Sequence, residues 1–389
     1  MTGSATAEEP TGWRGFLMPL GAVLALAGLT LGLWFLIDRQ ASSETAATIY
    51  QILGNPSEAD AIRAGGGNRV FPKLLLAGVA LAIGVGGVWL FYAGLNAVVM
   101  RLSARWRQRL LPWIFVGPAL LLLTLYLVWP VVSTIIKSFT EGAGLKNYEW
   151  ALTTPANHQM YLNNILWLVV GVAGAVGLGL LIAALFDRVR HESVAKTFVF
   201  LPLAISLVGA SVIWRFVYAW VPEGRPQYGL ANAIWTSLGQ DPVPWVQTSD
   251  FHINTFALIV ILIWLQTGFA MVVLSAAIKG VPAELTEAAK LDGATERQLF
   301  FRIIVPMIMG SLITVTITTA IVVLKIFDIV YVMTGGRFNT DVVANQMYLQ
   351  AFQFFDVGRA SVFAVILFVA VLPLMLLNIR NIRRQGLVA

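Results

Sequence analysis

Residues 253–279 read INTFALIVILIWLQTGFAMVVLSAAIK, an apolar run whose only charged residue is the terminal Lys279. A helix of about 20 apolar residues crosses the roughly 30 Å hydrocarbon core of a bilayer. Every backbone N–H and C=O group in lipid needs a partner within its own segment, which a helix provides. The run therefore predicts a transmembrane helix and an all-α, membrane-embedded chain.

Further runs of this kind lie on both sides of residues 253–279. We place them near 14–37, 73–100, 112–136, 162–186, 195–220, 305–331 and 359–380. The chain of 389 residues is 58% hydrophobic and 12% charged, whereas soluble domains have a charged fraction of about 25%. The ten-residue alternation of barrel strands is absent from the sequence. We therefore expect a polytopic protein with about eight transmembrane helices.

Composition also excludes several functions. The net charge of +6 comes from basic residues dispersed beside apolar runs, without the continuous basic face that nucleic acid requires. Cysteine is absent, and His158, His191 and His252 are scattered, so we expect no metal site. No catalytic triad or carboxylate pair is arranged for covalent chemistry, and we expect no catalytic residue.

The basic residues instead indicate topology. If the carboxyl terminus is cytoplasmic, about fifteen Lys and Arg residues lie in the inner connections and about nine in the outer ones. This bias predicts that both termini are cytoplasmic. The outer connections are then roughly 38–72, 137–161, 221–252 and 332–358.

Small residues recur at every fourth position in the run 162–186. Gly171, Ala175 and Gly179 lie on one helix face, which allows a neighbouring helix to approach closely. We expect helix packing at this face.

The connection after residue 279 is unusually structured. Residues 279–306 read KGVPAELTEAAKLDGATERQLFFRIIVP. Pro282 suits the first turn of a helix, and Glu284 and Glu287 suit its positive amino-terminal end. Gly293 permits a backbone bend, and a second helix begins near Thr295. This segment, residues 280–306, is called the elbow below, and we expect it to fit a cleft on a soluble partner.

The elbow resembles the coupling-loop signature of binding-protein-dependent ABC permeases. The matching residues are Glu287, Ala288, Ala289, Asp292, Gly293, Ala294, Phe300, Ile303 and Pro306. Residues 264–282, 201–219 and 324–336 also resemble permeases of the carbohydrate branch. Across about residues 110–385 the chain is similar to maltose-type permease subunits, and most similar to those for α-glucosides.

The resemblance implies a type I importer subunit that transports a sugar by alternating access. It implies a second homologous permease, two ATP-binding subunits and an extracytoplasmic sugar-binding protein as partners, in a bacterial inner membrane. Residues implied to dock the ATP-binding subunit are Glu284, Glu287, Ala288, Ala289, Asp292, Gly293, Ala294, Phe300, Ile303 and Pro306. The chain has no GxxxxGK[ST] phosphate loop, so we expect ATP and Mg on the partner subunits and no directly bound cofactor.

The chain also departs from the family pattern. Residues 1–109 add two spans and an extracytoplasmic loop to a six-helix core at 110–389. The large extracytoplasmic insertion of the maltose subunit is missing. Thr334, Gly335 and Gly336 are followed by Arg337 and Phe338 where the family often has Gly-Pro. The missing insertion and the Arg-Phe sequence both bear on how a binding protein is contacted.

Polar residues within the spans are candidates for a substrate pathway. We expect Gln266 to hydrogen-bond a sugar, because a carboxamide both donates and accepts; an interhelical hydrogen bond is the alternative. Trp264 either anchors the helix at the lipid headgroups or stacks on a sugar ring, and Thr267 lies beside these two residues. Ser206 is a weaker companion candidate.

Three ionisable residues complete the pathway candidates, since charge within a span is costly and needs a partner. Lys325 and Asp328 are three residues apart and are predicted to share one helix turn, where they either neutralise each other or recognise hydroxyl groups. Arg215 either reaches outward to water, forms a structural pair or lines the pathway.

Two other classes of function stay open at the level of sequence. An ion-coupled secondary transporter or channel would use Lys325 and Asp328, but it would not need an elbow that fits an ATPase. A purely structural membrane scaffold would show no transport defect on substitution of Gln266. The leading hypothesis is the permease subunit of a sugar importer, and the particular sugar is not specified by these residues.

Overall fold

The computed structural model describes residues 39–66, 104–186, 192–222 and 224–384, together with isolated positions between 72 and 96. The predicted span at 14–37 lies outside the described residues, and the one at 73–100 is described at isolated positions alone. The chain divides into two compact units, Met1–Pro130 and Val131–Ala389.

The regular elements of the described part are all helices. They are α1 (Arg39–Ile52), α2 (Pro56–Arg63), α3 (Ala104–Leu123), α4 (Trp129–Thr140), α5 (Leu145–Thr153), α6 (Pro155–Leu166), α7 (Val172–Phe186), α8 (Glu192–Phe200), α9 (Leu207–Val217), α10 (Leu230–Ser237), α11 (Ile253–Lys279), α12 (Ala283–Leu291), α13 (Glu296–Leu299), α14 (Val305–Met307), α15 (Met309–Leu324), α16 (Asp328–Met333), α17 (Val343–Phe352) and α18 (Val357–Arg384). Single π-helical turns cover Thr124–Val128, Trp167–Gly171 and Phe300–Ile304.

In the first unit, α1 and α2 form a short helical pair. Ala46 and Ala47 pack against Ala59 and Ile62, and all four side chains are buried. Pro56 supplies the first turn of α2, where its missing N–H group costs nothing.

Helix α11 is the centre of the second unit. It covers the apolar run 253–279, and its bounds agree with those predicted from the sequence. Its buried side chains, among them Leu258, Ile261 and Leu274, form the largest apolar core with residues of α7, α9, α15 and α16. A helix that is apolar on all sides and packed by neighbours is the expected centre of a membrane bundle.

Small residues allow the other helices to approach α11 closely. A Cβ atom on Gly179 of α7 would lie 2.5 Å from the Cβ atom of Ala270, and Ala175 is fully buried. A Cβ atom on Gly268 would lie 2.7 Å from the carbonyl oxygen of Val199, at the end of α8. The predicted packing face on residues 171–179 is therefore confirmed.

Four helices of the described part are long and apolar enough to cross a membrane, at Ala119–Thr140, Pro155–Phe186, Asp250–Lys279 and Val357–Arg383. Two bent pairs raise the number to six if each pair is one span. These six correspond to the last six predicted runs. The count of eight, which includes the two amino-terminal spans, remains a prediction.

Two predicted spans are not single helices. The run 195–220 bends by 102° between residues 204 and 207, because Leu201–Ala204 form a short 3-10 turn that contains Pro202, and Ser206 caps a new helix. The run 305–331 bends by 71° at Ile308 and is interrupted again at residues 325–327. Describing either run as one continuous helix is wrong.

Candidate functional site

The first arm of the elbow is helix α12. Pro282 lies at its N-cap and Glu284 in its first turn, where a carboxylate stabilises the positive helix end. Glu284, Glu287 and Ala288 are exposed, whereas Ala289 is buried. The acidic residues of the signature therefore lie on the outer surface of this arm.

The corner of the elbow is a Schellman motif. Gly293 has a φ of +80°, the left-handed conformation that favours glycine. Its N–H group donates to the carbonyl of Lys290 (3.1 Å), and the N–H group of Ala294 donates to the carbonyl of Ala289 (3.0 Å). These two bonds fix the bend after Asp292, which is the C-cap residue.

The second arm begins with a capping box. The hydroxyl of Thr295 accepts from the N–H group of Gln298, and the Gln298 side chain accepts from the N–H group of Thr295. This reciprocal arrangement satisfies amide groups that a helix start leaves unpaired. The predicted start near Thr295 is confirmed.

The base of the second arm is partly packed. Leu299 is buried, Phe300 and Ile303 are half-buried, and the ring of Phe300 meets that of Phe301 edge-on at 5.1 Å. Pro306 lies exposed in α14, just before the bend at Ile308. The elbow thus presents a fixed corner on a base that continues into the bundle.

A cluster of charges that sequence reasoning missed lies at the root of the elbow. Glu192 accepts from Lys279 at 2.6 Å and also from Lys196, whose ammonium group in turn contacts the hydroxyl of Ser275. Lys279 is the last residue of α11, and Glu192 and Lys196 lie on α8. In the sequence these lysines served only to assign topology. The cluster joins α8 to the end of α11 from which the elbow departs.

The pathway candidates on α11 have different surroundings. Gln266 is half-buried, and no hydrogen bond is found for its amide among the described residues. The hydroxyl of Thr267 donates to the carbonyl of Ile263 at 2.6 Å, so it is occupied within its own helix. Trp264 meets Trp214 edge-on at 5.8 Å. The Gln266 amide keeps its full hydrogen-bonding capacity for a ligand, whereas the Thr267 hydroxyl has already used its donor.

Ser206 and Arg215 lie on the bent pair α8 and α9. The hydroxyl of Ser206 accepts from the N–H group of Gly209 at 3.0 Å, so it caps α9. Arg215 is exposed near the end of α9. The hydroxyl of Ser206 is therefore used as a helix cap.

The predicted pairing of Lys325 with Asp328 is wrong in its geometry. Helix α15 ends at Leu324, and α16 begins at Asp328, so the two residues do not share a helix turn. Both lie in the described part of the chain, and no ion pair joins them there. The break leaves the Lys325 ammonium group exposed.

A buried clamp at the far end of α11 was also missed. Asn254 donates to the carbonyl of Phe338 (2.6 Å), and Asn163 donates to the carbonyls of Asn339 (2.6 Å) and Asp341 (2.9 Å). Phe338 and Asn339 have positive φ angles, a conformation that costs free energy and needs such support. The Thr-Gly-Gly sequence signalled a turn but not its anchors.

Burial raises the pKa of the Asp341 carboxyl above its ordinary value, although three hydrogen bonds oppose the shift. Asn345 and Gln346 each donate to it from α17 at 2.7 Å, and the N–H group of Val342 donates at 2.8 Å. The carboxyl therefore organises the turn from its inner side.

Comparison with known proteins gives independent evidence on the family of the chain. A model of the family described as binding-protein-dependent transport system inner membrane component matches residues 175–384. An osmoprotective compounds uptake permease of Synechocystis sp. is 51% identical over 276 residues, which cover 70% of this chain and 98% of that protein. An alpha-glucoside transport system permease of Rhizobium meliloti is 46% identical over 305 residues, 77% of this chain and 90% of that protein.

A solved structure agrees in fold. One chain of a bacterial alginate ABC transporter, in complex with an alginate pentasaccharide-bound periplasmic protein, has a TM-score of 0.63 at 20% identity. The alignment covers 73% of this chain and 98% of that one. At this identity the similarity concerns the fold alone.

Proposed function

Because the chain belongs to the family of binding-protein-dependent transport system inner membrane components, we propose that it is the membrane-spanning subunit of an ATP-driven sugar importer of the α-glucoside type. The observation that carries the proposal is the fixed elbow between two spans, bent at Gly293 and rooted in α11. The sugar class is supported by the 46% identity to an α-glucoside permease.

The elbow is the proposed docking site of an ATP-binding subunit. Its outer surface carries the exposed carboxylates of Glu284 and Glu287 beside two apolar side chains, Leu285 and Leu291, which are 46% and 89% exposed. An almost fully exposed leucine next to charges suits the centre of an interface, where burial on binding is favourable. Ala289 on the first arm and Leu299 on the second are buried.

The remaining parts of the proposal follow from this docking. Nucleotide and Mg would be bound by two partner ATPases, and a second homologous permease would complete the pathway. An extracytoplasmic sugar-binding protein would deliver the substrate. The elbow and both chain termini would be cytoplasmic, in a bacterial inner membrane, and 1–109 would be an extension of the six-helix core.

Substrate contact is proposed at Gln266, with Trp264 beside it. The half-buried amide has the donor and acceptor groups that sugar hydroxyls need. No hydrogen bond within the described residues occupies them. Lys325, Asp328, Arg215, Thr267 and Ser206 remain pathway candidates; Thr267 and Ser206 are the weakest, since their hydroxyls are already hydrogen-bonded.

The test uses the assembled transporter in proteoliposomes with ATP on the elbow side. Uptake and ATP hydrolysis are measured with maltose, sucrose, trehalose and glucosylglycerol, for wild type, Glu287→Lys and Gly293→Arg. Both variants should lose sugar-stimulated hydrolysis and uptake. Glu149→Lys, at an exposed position on α5, is the matched control and should behave as wild type. Undiminished hydrolysis in both elbow variants would refute docking.

A second variant distinguishes a defect in the substrate pathway from a defect in docking of the ATP-binding subunits. Gln266→Leu should reduce uptake while the ATP-binding subunits remain bound to the purified complex. Normal uptake by this variant would remove Gln266 from the pathway and leave the docking proposal intact.

A further inference from the structure

The interruption after α15 places irregular backbone close to the membrane interior. Helix α15 has 16 residues, about 24 Å at 1.5 Å per residue, which is less than the roughly 30 Å of the hydrocarbon core. Non-helical backbone at such depth is tolerated where it is buried in protein or lines a cavity. Residues 325–327 should therefore be buried in protein, as Ile326 is, or border a cavity.

Such a cavity is present beside the break. It has a volume of about 430 Å³, and its wall includes Lys325, Phe327, Tyr348, Leu367 and Phe368. The volume lies within the range of roughly 300–1,000 Å³ typical of small-molecule sites. The wall is almost wholly apolar, and Lys325 is the one charged residue among the described residues that line it.

An aromatic strip leads out of this cavity. Phe327 and Tyr331 stack at 5.0 Å, both rings lie 5.0 Å from Tyr348, and Tyr348 lies 5.0 Å from Phe352. Phe327 and Tyr348 line the cavity, whereas Tyr331 is 37% exposed and Phe352 is 64% exposed. The strip thus continues from the cavity wall to the surface of the chain.

The strip has the chemistry of a sugar-stacking surface. A pyranose has an apolar C–H face that packs on an aromatic ring and a rim of hydroxyl groups that needs donors or acceptors. Tyrosine hydroxyls and the Lys325 ammonium group supply these at the edges of the rings.

Resting on the proposed sugar import, we infer that Phe327, Tyr331, Tyr348 and Phe352 form a track along which glucosyl rings stack, with Lys325 at its inner end. Stacking on an apolar wall with one cation binds a sugar without enclosing all its hydroxyls. A transit site must release its ligand, and few hydrogen bonds favour release. The track would lead the substrate along the chain surface into the cavity beside the break.

The test measures uptake kinetics of the complete transporter in proteoliposomes, with maltose, sucrose, trehalose and glucosylglycerol as probes. Tyr348→Leu keeps an apolar side chain but removes the stacking face, and kcat/KM should fall roughly tenfold, the equivalent of about 1.4 kcal/mol. Tyr348→Phe keeps the stacking face and loses only the hydroxyl, so its kcat/KM should fall less than that of Tyr348→Leu. Tyr228→Leu, at a tyrosine that is 70% exposed outside the strip, is the control and should be unchanged.

Two further variants protect the test against misfolding. Phe352→Ala changes an exposed ring and should raise KM while the purified complex stays assembled. Lys325→Met keeps the apolar stem and should also raise KM, whereas Lys325→Arg should restore it. If the wild type imports one of these sugars and neither Tyr348→Leu nor Phe352→Ala changes the uptake kinetics, the track is overturned and the proposed function is not.

Other outcomes are equally decisive. If the same variants dissociate the two permeases at unchanged KM, the strip is a subunit interface and the inference is overturned. If the wild type imports none of the four sugars, the proposed α-glucoside function fails, and the track fails with it.

Discussion

Replacement of Gly293 by alanine tests whether the shape of the elbow, and not merely its composition, is required for docking. A Cβ atom at this position would meet nothing within 4 Å, so there is no steric clash to relieve. The whole cost comes from the φ of +80°. An L-residue with a side chain pays about 1–2 kcal/mol for this conformation.

That cost converts into an affinity. If the partner binds only the bent elbow, about 1–2 kcal/mol weakens docking by roughly 5- to 30-fold, because 1.4 kcal/mol is tenfold. Asparagine tolerates the left-handed conformation better than alanine, and valine tolerates it worse. Affinity should therefore fall in the order Gly, Asn, Ala, Val at position 293.

The assay titrates purified ATP-binding subunit onto the permease pair in nanodiscs and records the half-saturating concentration. Gly280→Ala is the matched control in the same segment, since Gly280 has a φ of −77° and its nearest atoms would lie 3.4 and 3.6 Å from the new Cβ. It should change affinity little. Equal effects at 280 and 293, or alanine binding as tightly as glycine at 293, would refute the reasoning.

Three further changes test other parts of the molecule. Glu192→Gln should lower the number of sugars imported per ATP hydrolysed, because it weakens the link from α8 to Lys279; an unchanged ratio would argue against this link. Gly336→Ala should lower the thermal stability of the purified protein, because its Cβ would lie 2.7 Å from the Asn345 amide. Burial raises the pKa of the Asp341 carboxyl, so folding favours its protonated form. The resulting contribution to the free energy of unfolding is complete below about pH 4, the ordinary pKa of an aspartate. It is lost as the pH rises through the raised pKa of the folded state. The Tm advantage of Asp341→Asn over wild type should accordingly grow with pH, and a constant difference would contradict the assignment.

The sequence was sufficient for the long helices and for the elbow. The bounds of α11 agree because an uninterrupted apolar run of 27 residues has one arrangement in lipid that satisfies its backbone. The second arm of the elbow was located because Thr295 and Gln298 form a capping box that depends on local residues alone. In both cases the determining interactions lie within the segment.

The two breaks within spans differ in their sequence signals: Pro202 marks the bend between α8 and α9, whereas no such residue marks the break after α15. Residues 325–327 read Lys-Ile-Phe, and neither proline nor glycine marks the end of α15 there. The Asn254 and Asn163 clamps were missed for a different reason: their partners lie 84 to 178 residues away in the chain. A single asparagine in an apolar run carries no information on such a partner. The domain boundary at 109/110 stays a prediction.

Under the proposed function, α11 would connect the docking elbow to the substrate pathway. Gln266 lies 13 residues from Lys279, about 20 Å along a continuous helix at 1.5 Å per residue. A displacement of the elbow would reach Gln266 without loss only if the helix moves as a rigid body, and tight packing at Gly179 and Gly268 favours this. The Glu192 cluster would carry the same displacement into α8, which ends beside Gly268. One cytoplasmic motion would then move α11 and the bent pair α8 and α9 together, so that the pathway changes shape as a unit.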